Sequence, residues 1–227
     1  MKLKSFGCSF IFGSELPDDG SHTTYDHYSR LSWPALLAKT LGYSYDCYAR
    51  PGAGNLRILE SVLSQAESNE NNLYVIGWTW IDRFDYKIDD ADPLYLRDSA
   101  GCSTILPTHS DKKAKFYYRN LHSQVIDKLT TLAYIKLAVD TLKQKNIPFI
   151  MTYIDDLIFE RQWHSTPAVA GMQNYIQPYM STFQGKNFID WSKSNGFEIS
   201  NTSHPLEAAH QAAADLVHQD LDQWIKS

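Results

Sequence analysis

Apolar and polar positions separate strands from helices along most of this chain. Leu3, Ser5 and Phe6 make a short alternation that Gly7-Cys8-Ser9 stops, which marks a strand running into a turn. Ser32-Trp33-Pro34 reads as a helix start, with Leu36, Leu37 and Leu41 at helical spacing and Gly42 as the stop. Tyr43 to Ala49 alternates aromatic and polar residues, so a second strand is expected there. The glycine-rich turn Arg50-Pro51-Gly52-Ala53-Gly54-Asn55 then opens a helix with an apolar face of Leu56, Leu59, Val62, Leu63 and Ala66. Asn55 is its expected N-cap. Asn72 to Trp80 is a nearly continuous apolar run, the pattern of a strand buried on both faces of a parallel sheet.

From Ile81 to Arg119 the periodicity dissolves among turn signals, and the segment is too long for a simple connection. It reads as an insertion over the functional face. It carries Phe84, Tyr86, Tyr95, Phe116, Tyr117 and Tyr118 with Arg83, Arg97 and Arg119, a set that suits either ligand binding or packing of a small subdomain. Helical spacing returns over 120–145, and Ile147 to Ile154 follows as another buried strand with Asp155 and Asp156 at its carboxyl end. Residues 166–183 are expected to be helical and Asn187-Phe188-Ile189-Asp190 to be a short last strand, the fifth. A closing helix is expected from Leu206 to Trp224, with His204 before Pro205 at its entrance and His210 beside its apolar stripe as a packed structural histidine.

Strands alternating with helices predict an α/β fold in one domain over residues 1–227. Hydrophobic residues at 43% and charged residues at 21% supply a sizeable core and exclude disorder. A net charge of −5 with scattered basic residues argues against nucleic acid as a partner. Cys8, Cys47 and Cys102 lack metal-ligand spacing and are odd in number, which points to reduced thiols in a cytoplasmic setting. No signal peptide or membrane span is read from the sequence, so no membrane partner is expected, and the sequence is silent on oligomeric state.

Gly7-Cys8-Ser9-Phe10, Gly52-Ala53-Gly54-Asn55, Gly77-Trp78-Thr79 and His204-Pro205, in this order across nearly the whole chain, resemble the motifs of the SGNH (GDSL-like) hydrolase superfamily. The resemblance implies a three-layer α/β/α sandwich, flavodoxin-like, with a five-stranded parallel sheet. It also implies a serine esterase acting through an acyl-enzyme, with no metal or organic cofactor. Carried over by position, Ser9 matches the nucleophile and His204 the general base. The Ser9 and Gly54 backbone N–H groups match the oxyanion donors. Where the family usually has an asparagine donor this chain has Thr79, so either Thr79 or Asn55 is the side-chain donor.

The family's acid position, three residues before the histidine, holds Asn201. That leaves a Ser–His dyad with Nδ1–H held by Asn201 or a backbone carbonyl, or a triad completed by a distant carboxylate such as Asp190 or Asp155. The expected substrate is a small acyl ester, acetyl among the candidates, on a carbohydrate-type or other polar carrier. The alternative is a non-catalytic binding module that has lost its acid and its asparagine donor.

Overall fold

The computed structural model describes residues 1–20, 27–67, 71–87 and 102–227. Its centre is the apolar run read above. Strand β3 (Asn72–Trp78) is buried at every position, and the flanking parallel strands β1 (Lys2–Phe6), β2 (Ser44–Cys47) and β6 (Phe149–Tyr153) complete a sheet of order β2-β1-β3-β6. Leu3 pairs with Tyr45 on one side and Leu73 on the other, and Val75 pairs with Ile150. Helix α2 (Trp33–Thr40) packs on α8 (Glu207–Gln219), and α3 (Asn55–Gln65) packs on α5 (Gln124–Gln144), which also meets α6 (Pro167–Ile176). These layers flank the sheet and give the expected α/β/α architecture. The order reverses after β1, since β2 lies on one side of it and β3 on the other. The crevice beyond the carboxyl ends of β1 and β3 is therefore the place where such sheets hold ligands.

Among the described residues the sheet has four strands, where five were expected. Asn187-Phe188-Ile189-Asp190 begins helix α7 (Phe188–Ser194), because the Asn187 side chain accepts the Asp190 N–H at 2.9 Å as an N-cap. A short apolar run fits a strand or a helix turn equally well, and here the cap decides. Single bridges stand along β6 instead. Ser181 donates its N–H to the Met151 carbonyl at 2.8 Å, and Phe149 exchanges backbone hydrogen bonds with Lys226. The closing segment is likewise two helices, α8 and α9 (Leu221–Trp224), separated at Asp220.

Within 81–119, β4 (Phe84–Lys87) pairs antiparallel with β5 (Cys102–Ile105), and α4 (Lys112–Asn120) follows, capped by the Asp111 side chain. Ile105, Ala114 and Tyr117 form a small separate core with Tyr86 and Tyr118 against it, and Phe84 stacks on Tyr117 at 4.2 Å. Most of the aromatic residues described in this segment therefore serve packing. Phe116 is exposed, while Tyr95 and Arg97 lie outside the described residues. No helix among the described residues is long and apolar enough to cross a membrane.

Candidate active site

Ser9 is the first residue of α1 (Ser9–Phe12), directly beyond the end of β1. The turn needs glycine before it, because a Cβ at Gly7 would stand 2.9 Å from the Gly77 carbonyl oxygen of β3. Cys8 and Ser9 then diverge. Cys8 is buried at the N-cap position and lines a small void with Trp33, Gly77 and Phe188. The Ser9 hydroxyl faces His204, with Oγ 2.8 Å from Nε2. In the first turn of a helix an N–H has no intrahelical acceptor, and among the described residues nothing accepts the Ser9 N–H.

His204 is fixed from all sides. Its N–H donates to Ser200 Oγ at 3.1 Å, its carbonyl accepts the Ser200 N–H at 2.8 Å, and its ring packs on Phe10 with centroids 4.9 Å apart. The loop closes tightly through Ser203, whose N–H reaches the Ser200 carbonyl and whose φ of 71° lies in the left-handed region. At the far nitrogen, Nδ1, stands Glu15 Oε2 at 2.7 Å. The Ser200 and Thr202 hydroxyls both donate to that same carboxylate oxygen. These two bonds, more than the histidine, hold the Glu15 carboxyl below its ordinary range against the opposing effect of burial. With Nδ1–H donating to Glu15, Nε2 presents its lone pair to Ser9.

Asn201 does not take the place expected for it. It is exposed on the outside of the turn, and among the described residues it makes no hydrogen bond to His204. The two distant carboxylates are engaged elsewhere. Asp155 accepts the N–H groups of Ile81 and Leu157, and Asp190 accepts from the Asn187 side chain.

The expected oxyanion donors divide. The Gly54 N–H donates to Asp85 Oδ1 at 3.1 Å, and the Arg57 N–H donates to Asp85 Oδ2 at 2.9 Å. Asp85, from β4, thus caps α3 from outside, and Gly54 rather than Asn55 occupies the N-cap position. Glycine is required there because an added Cβ would meet the Asp85 carboxylate at 2.5 Å. Burial pushes the Asp85 carboxyl up despite the donors around it, which also include the Thr104 hydroxyl.

Asn55 is spent as a staple between α3 and the end of β3. Its Oδ1 accepts the Thr79 N–H at 2.9 Å, and its amide reaches the Thr79 carbonyl at 3.1 Å and Thr131 Oγ1 at 3.2 Å. The Thr79 hydroxyl is fully buried and has no hydrogen-bond partner among the described residues. Of the expected donors, the Gly54 N–H and the Asn55 amide are engaged, while the Ser9 N–H and the buried Thr79 hydroxyl have no partner among the described residues.

Glu15 and Asp85 are the residues that sequence reasoning missed. Glu15 sits on a short loop after α1, where its φ of 67° and its N–H bond to Asp19 Oδ2 at 2.8 Å set its direction. Its one sequence signal is its nearness to Ser9. Asp85 gave none, since it depends on β4 folding back over α3. Beyond the site, Trp80 stands edge-on to Phe10 at 5.6 Å and carries the Arg83 guanidinium over its ring at 4.6 Å. Arg83 also borders a cavity of about 310 Å³ with Phe84, Asp85, Tyr117, Asp127 and Tyr134.

No protein-family model matches the chain. A search of characterised proteins gives no significant match in sequence. Among solved structures, the fold is similar to that of the psychrotrophic esterase EstA from Pseudoalteromonas sp., inhibited by monoethylphosphonate. That match has a TM-score of 0.54 and 11% identity, over 98% of this chain and 97% of the other. It is also similar to a carbohydrate esterase whose active site displays divergent catalytic and non-catalytic binding functions. Here the TM-score is 0.51 and the identity 15%, over 98% of this chain and 68% of the other.

Proposed function

We propose that this chain, whose fold is that of the SGNH hydrolases, is a serine esterase that cleaves a small acyl ester through an acyl-enzyme. The observation that carries the reading is the 2.8 Å approach of His204 Nε2 to Ser9 Oγ at the carboxyl end of β1. A serine hydroxyl is a poor nucleophile at neutral pH and needs a base within hydrogen-bond reach. His204 removes the proton as Oγ attacks the ester carbonyl, and the Ser9 N–H faces the developing oxyanion. The protonated imidazole then delivers its proton to the leaving alcohol. Water enters and loses a proton to His204 as it attacks the acyl carbonyl, and His204 returns that proton to Ser9 Oγ as the acid leaves.

The substrate is an acyl group of acetyl size on a polar, carbohydrate-type carrier. Trp80 supports this, since it lies half-buried against Phe10, whose buried ring packs on His204, and leaves aromatic surface beside the site on which a sugar ring can stack. Ser9→Ala should abolish hydrolysis of a short-chain acyl ester while Cys8→Ala keeps most of it, as a buried thiol takes no part. The opposite pattern, or efficient hydrolysis of long-chain esters alone, contradicts the reading.

A second reading, a binding module without turnover, is favoured by one observation: the Gly54 N–H and the Asn55 amide are both occupied. Saturable binding of an acetylated sugar by a protein with no esterase activity supports that reading instead.

A further inference from the structure

We propose that Glu15 is the acid that positions His204, so that nucleophile and acid stand at the two ends of the short α1 segment while the histidine's own loop only clamps that acid. The inference rests on Ser9 being the nucleophile.

Three independent observations converge on Glu15. Its Oε2 is 2.7 Å from Nδ1, on the ring nitrogen opposite Ser9, so a single imidazole bridges hydroxyl and carboxylate. That is the arrangement that fixes the tautomer and stabilises the imidazolium formed when the serine proton is taken. The surroundings of the carboxylate are equally directed. Ser200 and Thr202, on either side of the uncharged and outward-facing Asn201, both donate to the oxygen that faces Nδ1. Thr202 Oγ1 also stands 2.9 Å from Nδ1, so its hydroxyl proton goes to Glu15 and its oxygen lies beside the ring. Finally, Glu15 and Ser203 are non-glycine residues held in the left-handed region, one on each side of the contact. Such backbone persists where its surroundings hold it, and here hydroxyl and carboxylate bonds tie the two loops together.

The neighbouring carboxylates do not compete for this role. Asp18 accepts the Arg30 N–H at 2.7 Å together with the Ser29 hydroxyl, and Asp19 accepts the Glu15 N–H. Both anchor the loop and leave Glu15 as the group turned to the histidine. Its side chain is 38% exposed, so substitution there leaves the core untouched.

The test compares wild type, Glu15→Gln, Glu15→Asp and Thr202→Val by kcat and KM on a soluble acetyl ester and by proton NMR of the imidazole N–H region. Glu15→Gln should lower kcat by about 10³- to 10⁴-fold with little change in KM, as expected for loss of a triad carboxylate. Glu15→Asp should recover at least about tenfold over Gln, and Thr202→Val should lose roughly three- to tenfold, one clamp bond. A far-downfield Nδ1–H resonance should be present in wild type and absent from Glu15→Gln and His204→Ala. Equal kcat for wild type and Glu15→Gln, or a resonance unmoved by Glu15→Gln, overturns the assignment. The NMR readout does not depend on turnover. If wild type hydrolyses nothing, the esterase reading fails while the resonance still decides the Glu15 contact.

Discussion

Two polar clusters flank the crevice at the top of the sheet, and they use their hydrogen bonds differently. Around the start of α3, the polar groups of Gly54, Asn55 and Asp85 are buried, with Thr104 half-buried beside them, and all are bonded to one another or to nearby backbone. Around His204, each bond among Ser200, Thr202 and Glu15 serves to aim one ring, whose Nε2 is directed at a single hydroxyl. A saturated buried network stabilises a fold, whereas reactivity needs a group that its neighbours orient without consuming. The two histidines repeat the contrast. His210 is buried, with Nδ1 accepting the Trp33 N–H at 3.0 Å, and burial lowers its pKa to about 3. His204, six residues earlier, faces a serine and a carboxylate.

The sharpest way to break this comparison is to remove a residue from each cluster. His204→Ala should reduce ester turnover by about 10⁴-fold or more, with a thermal midpoint near that of wild type. Asn55→Ala should do the reverse. It leaves buried partners on Thr79 and Thr131 unsatisfied and should cost roughly 2–4 kcal/mol in urea unfolding.

Acid sharpens the contrast between the histidines. Because the folded-state pKa of His210 lies below its unfolded value of 6.5, the unfolded chain binds the extra proton. Stability should therefore fall as pH drops from about 6.5 toward about 3, by up to about 1.4 kcal/mol per pH unit from this group. A matched pH series of unfolding midpoints on His210→Gln, flatter over that window, checks it.

Gly54→Ala drives a methyl against the Asp85 carboxylate and should cost about 1–3 kcal/mol by the same urea assay. The smallest effect belongs to Thr79→Val. A buried hydroxyl without a partner loses nothing when replaced by a methyl of similar shape, so stability should hold within about 1 kcal/mol. Turnover should then stay within a few-fold of wild type. A hundredfold loss instead would make the Thr79 hydroxyl an oxyanion donor.

The layers of the fold were legible because β1, β3, β6 and α5 carry long, regular apolar patterns that local chemistry does not contradict. The fifth strand was misread because Phe188-Ile189 is too short for periodicity to decide, and the Asn187 cap settled the matter. That Ser9 and His204 come together was legible for another reason. Each sits at an element boundary marked by glycine or proline, and their meeting follows from the parallel topology.

What escaped was everything fixed by loop geometry. Asn201 stood at the expected spacing but faces outward, because the turn through Ser203 directs Ser200 and Thr202 inward instead. Gly54 read as an oxyanion glycine, and its lack of a side chain makes room for Asp85 from β4. Neither partner is visible from spacing along the chain.

The most direct test of the central claim is covalent labelling with an organophosphonate ester, followed by intact mass and peptide mapping, on wild type and His204→Ala. A nucleophile activated by His204 predicts one adduct, on Ser9, forming at least about a thousandfold more slowly in the variant. No adduct in wild type, an adduct on Cys8, or equal rates in the two proteins would contradict it.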